Sequence, residues 1–143
     1  MAEKSEQELY QTVILASIVE REYRVEEEAP LIASVFSNRL RHNIGLYSCA
    51  TIVYILTEIE GRPHPDRILL EDTKIDSPYN TYMYYGLPPT PVSNPTVGSI
   101  IAAIEPAETT YYYFCSRNDG SGEHVFAETL EEHQKNVATY LRK

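Results

Sequence analysis

The chain predicts an α+β fold: a single, mostly helical domain with a small antiparallel β-hairpin and a long loop rich in proline and tyrosine. Three observations carry this expectation. Apolar residues recur at helical spacing over residues 6–24 and again over 30–41. Pro63, Pro65, Pro78, Pro88, Pro89 and Pro91 forbid continuous helix or strand between residues 58 and 93. The run Asn118-Asp119-Gly120-Ser121-Gly122 lies between two short β-prone segments, which is the pattern of a hairpin turn.

Each element follows from local chemistry. The first helix spans residues 6–24 and is apolar from Val13 to Val19. A polar link from Val25 to Ala29 leads to Pro30, a favoured first helical residue. The second helix runs to Arg41 with Leu31, Ile32, Val35, Phe36 and Leu40 on its apolar face, and Gly45 is the expected stop. A short helix covers Ala50 to Thr57, with Ser48 near its cap. The loop 58–93 is long for a compact domain, and such loops are usually functional or disordered. Its tyrosines, Tyr79, Tyr82, Tyr84 and Tyr85, argue against disorder. Asn94-Pro95 reads as cap and first residue of a helix that ends before Pro106. Thr110 to Ser116 and His124 to Ala127 are the hairpin strands. Thr129-x-x-Glu132 is a capping box opening a last helix that buries Leu130, Val137 and Leu141.

Composition narrows the function. A length of 143 residues suits one domain with a real core. A net charge of −9 and no basic stripe argue against nucleic acid, because a polyanion is repelled. No stretch reaches the ~18–20 apolar residues needed to cross a bilayer. No signal peptide precedes the first helix, so the chain reads as a cytoplasmic protein or as a soluble piece of a larger one. Cys49 and Cys115 form no C-x-x-C and, with four scattered histidines, compose no metal set, so no cofactor is expected. Whether the two cysteines pair is left open. The 12 tyrosines suit sugars with flat apolar faces as well as an ordinary core.

The strongest chemical feature is Ile18-Val19-Glu20-Arg21-Glu22. A carboxyl group held against apolar side chains has its pKa raised, because desolvation disfavours the charged form. A Glu of that kind can donate a proton at neutral pH. Leu15, Ile18 and Val19 lie at i−7, i−4 and i−3 from Glu22, so Glu22 continues the most apolar face. Glu20 lies roughly 200° round and neighbours Val13, Ala16 and Ser17. Periodicity favours Glu22 as the desolvated acid and leaves Glu20 as the fallback; on spacing alone the two acids read equally as the solvated end of the helix.

Several ordered segments resemble one family, the MltG/YceG-like endolytic murein transglycosylases. They are Ile14-Leu15-Ala16-Ser17-Ile18-Val19-Glu20-Arg21-Glu22, Ala33-Ser34-Val35-Phe36-Ser37-Asn38-Arg39-Leu40, Asp76-Ser77-Pro78-Tyr79-Asn80-Thr81-Tyr82 with Gly86-Leu87-Pro88-Pro89, and Ser93-Asn94-Pro95 with Ser99-Ile100. Tyr112-Tyr113-Phe114, His124-Val125-Phe126, His133 and Asn136 continue the match, which runs from residue 10 to 141. Position by position, Glu22 matches the family's acid. The chain departs from the pattern at Cys49-Ala50, where many members have Asp-Pro, and at Thr90 and Thr96, where Gly is common.

The resemblance implies an isolated catalytic domain over 1–143, without the family's amino-terminal membrane helix and LysM-like domain. It implies a lyase acting on peptidoglycan glycan strands, with no cofactor, and with peptidoglycan synthases or division proteins as protein partners. Its setting would be the extracytoplasmic face of the bacterial membrane, anchored through the parent chain. The bond would be MurNAc-β-1,4-GlcNAc and the product a 1,6-anhydroMurNAc end, with Glu22 as acid and then base. Within the loop, Tyr79, Asn80, Thr81 and Tyr82 are the expected substrate contacts: an amide suits an N-acetyl group and a tyrosine can stack on a sugar face. Asn80 reads equally as a turn residue after Pro78. Ser48 and Thr51 are further candidates, equally readable as a helix cap and a helix-surface residue. Asn38 and Arg39 reach the cleft or tie the second helix to the loop, and His124 reads first as a packed strand residue. Two rivals stand beside this reading: a glycan-binding or scaffold module without turnover, and a cysteine enzyme using Cys49 with His64 or His124.

Overall fold

A computed structural model describes residues 5–141 and is α+β, with five helices and a two-stranded antiparallel sheet among them. Helix α1 (Glu6–Glu22) is capped by Ser5, whose hydroxyl accepts the Glu8 N–H at 3.1 Å. It ends at Glu22, not at residue 24, so the acid sits on the helix's final residue. A 3-10 turn, Glu26–Glu28, feeds helix α2 (Ala29–Arg41), with Pro30 in its first turn. The left-handed residue after α2 is Asn43 (φ 54), not Gly45. Gly45 serves another purpose: a Cβ there would stand 2.9 Å from the Tyr47 ring.

Helix α3 (Cys49–Tyr54) begins at its Ser48 cap and continues as a π-helical stretch, Ile55–Ile59, closed by Glu60 N–H donating to Ile55 O at 2.9 Å. The following loop holds one 3-10 turn, Leu70–Lys74, and otherwise bends and turns, as its prolines require. Helix α4 (Val97–Ile104) starts two residues later than Asn94-Pro95 predicts, with Thr96 as its cap residue. Glu20 of α1 supplies the capping oxygen, accepting the Thr96 N–H at 2.7 Å, so Asn94 is not needed there. Strands β1 (Tyr113–Ser116) and β2 (His124–Ala127) pair Tyr113 with Ala127 and Ser116 with His124. β1 is shorter than residues 110–116, although Tyr112 N–H still donates to Ala127 O at 3.0 Å.

The main core packs Leu15, Ile18 and Val19 of α1 against Ile32, Ala33 and Phe36 of α2, Ala102 of α4 and Leu46. Phe114 and Phe126 close it from the sheet. Each fully buried aliphatic side chain contributes about 1.5–3 kcal/mol from burial. A second cluster, Ile52, Ile55 and Leu56, holds Ile68, Ile75, Tyr79 and Tyr82 of the loop. Helix α5 (Leu130–Tyr140) corrects the sequence expectation. Thr129 caps it, accepting the Glu132 N–H at 3.2 Å, but Leu130 and Leu141 are exposed and Val137 is only half-buried. Its apolar face borders open clefts, not a closed core. No described helix is long and apolar enough to cross a membrane.

Candidate active site

The two acids at the end of α1 have opposite surroundings. Glu20 Oε1 accepts from Thr96 N–H at 2.7 Å, Thr96 Oγ1 at 2.9 Å and Ser99 Oγ at 2.7 Å. Burial raises its pKa, but these donors and Arg21 outweigh burial and hold it below the usual carboxylate range. Glu20 is therefore an ionised strut between α1 and α4. Glu22 is pushed above the ordinary range, chiefly by burial. The Ser48 hydroxyl, donating to Glu22 Oε1 at 3.3 Å, draws it partly back, as do His124, Arg24 and Arg39.

Two clefts meet at Glu22. One, of about 610 Å³, is lined by Arg39, Tyr47, Ser48, Tyr113, Leu130 and His133 among others. The second, of about 670 Å³, is lined by Arg24, Tyr82, His124, His133, Val137 and Leu141 among others. Among the described residues Glu22 is the only carboxylate on either lining. Glu28 is buried, but it receives the His124 backbone N–H at 3.0 Å, with the His124 Nδ1 2.9 Å from its Oε1.

The candidate contact residues separate into those that line the clefts and those that build them. Ser48 and Tyr82 line them. Thr81 and Thr51 are buried behind Ser48: Thr81 Oγ1 accepts the Ser48 N–H at 2.9 Å and lies 2.9 Å from Thr51 Oγ1. Thr51 is thus not a helix-surface residue. Asn80 is fully buried, and its amide is consumed within the loop. It donates to Thr73 O at 3.0 Å and Ile75 O at 2.8 Å and accepts the Tyr82 N–H at 2.9 Å. The turn reading of Asn80 is the one its geometry matches, and both of its amide donors are used within the loop. Tyr79 packs on Tyr54, with centroids 4.9 Å apart, and its hydroxyl lies 2.8 Å from Thr90 Oγ1. Asn38 donates to Thr109 O and Tyr111 O and borders a separate groove of about 960 Å³ whose lining does not include Glu22.

Three cleft residues were absent from the sequence's candidate contacts or given only a loose place there. Arg39 is buried and donates to Tyr112 O and Leu46 O, both at 2.7 Å, with its guanidinium over Tyr113 at 5.4 Å and Tyr47 at 6.0 Å. Tyr47 adopts φ 48, a costly left-handed conformation for an aromatic residue, and tilts against Tyr82 at 5.6 Å. His133 stacks on Tyr113. The resemblance matched His133 but assigned it no role, and no local pattern foretells the backbone at Tyr47. Cys49 also lines both clefts, but its Sγ lies 3.2 Å from Tyr82 Oη, whereas the Nδ1 atoms of His124 and His64 meet Glu28 and Pro65 O. The thiol is thus not hydrogen-bonded to either histidine of the cysteine-enzyme reading. Among the described residues no cluster of His, Cys, Asp and Glu could hold a metal ion.

Fold and site together define a small α+β domain with one desolvated carboxyl at the junction of two clefts. The chain belongs to the YceG-like family, whose model matches residues 1–139. It is 38% identical over 138 residues to the endolytic murein transglycosylase of Bacillus subtilis (strain 168), covering 96% of this chain and 36% of that protein. It is 35% identical over 127 residues to the endolytic murein transglycosylase of Streptococcus pneumoniae serotype 2, covering 89% of this chain and 23% of that protein. The crystal structure of a yceG-like protein from Listeria monocytogenes matches with a TM-score of 0.80 at 39% identity, over 88% of this chain and 39% of that one. The chain thus spans 36% and 23% of the length of these curated relatives.

Proposed function

We propose that this chain is the catalytic domain of an endolytic peptidoglycan lytic transglycosylase and that Glu22 is its single acid and base. The observation that carries the reading is a lone carboxyl, desolvated and held by Ser48, where two clefts join. Hydrolytic glycosidases ordinarily flank the bond with two carboxyl groups. One carboxyl suits a reaction that consumes no water.

Protonated Glu22 gives its proton to the bridging O4 as the C1–O4 bond of MurNAc-β-1,4-GlcNAc breaks. The acetamido oxygen of the muramic residue bonds C1 and carries the charge as an oxazolinium-like intermediate. The Glu22 carboxylate then takes the proton of the O6 hydroxyl, O6 bonds C1, and the acetamido oxygen leaves. The products are a new GlcNAc end and a 1,6-anhydroMurNAc end, and Glu22 is protonated again. A raised pKa serves both halves, because the group must first be an acid and then a base.

The parent protein would sit at the extracytoplasmic membrane face, trimming or terminating nascent strands beside synthases or division proteins. Digestion of purified peptidoglycan, read by mass spectrometry, tests the reaction. Anhydro ends are expected. Reducing ends would mean hydrolysis, and a folded protein that binds strands without cleaving them would mean a binding module.

A further inference from the structure

His133 is the one histidine here whose Nδ1 has no hydrogen-bond partner among the described residues, although that atom is buried. The Nδ1 atoms of His42, His64 and His124 lie within hydrogen-bond distance of Tyr112, Pro65 O and Glu28. Buried polar atoms are nearly always paired, so an orphan beside a cleft calls for an explanation. The ring is firmly placed. Its backbone N–H donates to Thr129 O at 3.0 Å in the first turn of α5. Its face lies on Tyr113 with centroids 5.1 Å apart and planes 21° apart, and Arg39 lies over the same tyrosine. Burial and Arg39 hold its pKa below the ordinary histidine value, so at neutral pH the ring has one N–H and one lone pair.

Both clefts that meet at Glu22 are lined by His133. The mechanism above needs an acetamido oxygen nucleophilic enough to bond C1. An acceptor for the acetamido N–H pushes electron density toward that oxygen, and a second carboxylate would serve. Among the described residues no carboxylate besides Glu22 lines the clefts, and Glu28 is committed to His124.

We propose that a ring nitrogen of His133 accepts the acetamido N–H of the muramic residue, so that a neutral imidazole stands where a second carboxylate would otherwise be needed. This rests on the glycan-cleaving reading of Glu22. An imidazolium could not act in this way, because both its nitrogens donate. Because Nδ1 is buried, the accepting atom is Nε2, and the ring's one N–H sits on Nδ1.

The test compares His133→Phe, His133→Asn and His133→Gln with wild type. Phe keeps a flat ring against Tyr113 and removes both nitrogens; the amides restore an acceptor. Circular dichroism and thermal melting first establish that each variant is folded. On peptidoglycan strands, Phe is expected to lower kcat about tenfold or more, the worth of one good hydrogen bond, with at least one amide variant recovering most of it. Turnover by His133→Phe within about twofold of wild type would overturn the proposal, as would failure of both amides to improve on Phe. Affinity for a GlcNAc-MurNAc tetrasaccharide in a Glu22→Gln background gives a readout independent of turnover. If wild type releases no anhydro ends, the reading of Glu22 fails by itself. His133 is then judged on that affinity: an unchanged Kd on Phe substitution overturns it, and about tenfold weakening sustains the contact.

Discussion

The Ser48 hydroxyl donates to Glu22 Oε1 across 3.3 Å while its oxygen accepts the Ala50 N–H at 3.2 Å. One side chain thus caps α3 and restrains the acid of α1. Because the Ser48 bond favours the carboxylate, it works against the desolvation that raises the Glu22 pKa.

Ser48→Ala removes that restraint and is expected to push the Glu22 pKa further up. The first step requires protonated Glu22, so activity is lost as pH rises through its pKa. The alkaline limb of the pH–rate profile should therefore move to higher pH. Loss of the cap should cost about 1 kcal/mol of stability, read by urea denaturation.

Glu20→Ala should be a stability mutant and not an inactive one. It removes three hydrogen bonds that tie α4 to α1. The site is partly exposed, so solvent screening keeps the cost to about 1–2 kcal/mol. Because the folded pKa is depressed, the stabilisation is present at neutral pH and lost as pH falls through the carboxylate range. The wild-type minus variant difference in urea midpoint should shrink accordingly toward acid pH.

The contrast between these acids marks what the sequence discloses. That Glu22, and not Glu20, continues the stripe of Leu15, Ile18 and Val19 was legible, because all four lie on one helix; whether the acid is desolvated was not. The commitment of Glu20 was not, because its partners Thr96 and Ser99 lie 76 and 79 residues further on. The same limit explains α4, whose capping oxygen comes from another helix. Thr129, by contrast, was readable, because its partner Glu132 is local. Leu130 and Leu141 misled because an apolar face toward a cleft and one toward a core have the same periodicity. Within the loop, prolines and tyrosines marked order without helix or strand, but not that Asn80 spends its amide on Thr73 and Ile75.

Asn80→Ala is expected to destabilise the domain by about 1–2 kcal/mol, since Thr73 O and the Tyr82 N–H lose their partner and Ile75 O keeps only the Ser77 N–H. Chemical denaturation measures the loss. Glycan affinity of the folded fraction should change far less than in a variant of a cleft-lining residue such as Tyr82→Ala.

Cys49→Ala should retain activity within about threefold, because among the described residues the thiol's one hydrogen-bond partner is Tyr82 Oη and its loss resembles an ordinary neutral hydrogen bond at most. Alkylation of wild type with a bulky maleimide should nevertheless inhibit, because Cys49 is exposed where both clefts meet. The alanine variant should resist the reagent. Loss of activity on alanine substitution alone would revive a nucleophilic role for the thiol.

The most direct measurement is turnover of intact glycan strands by Glu22→Gln and Glu20→Gln side by side, with products counted by mass spectrometry. The account predicts that Glu22→Gln remains folded and loses at least about a thousandfold in release of 1,6-anhydroMurNAc ends, in the range for removing a general acid. Glu20→Gln should keep most of its activity once corrected for folded protein. Undiminished anhydro release by Glu22→Gln, or its abolition in a folded Glu20→Gln protein, would contradict the assignment of the acid.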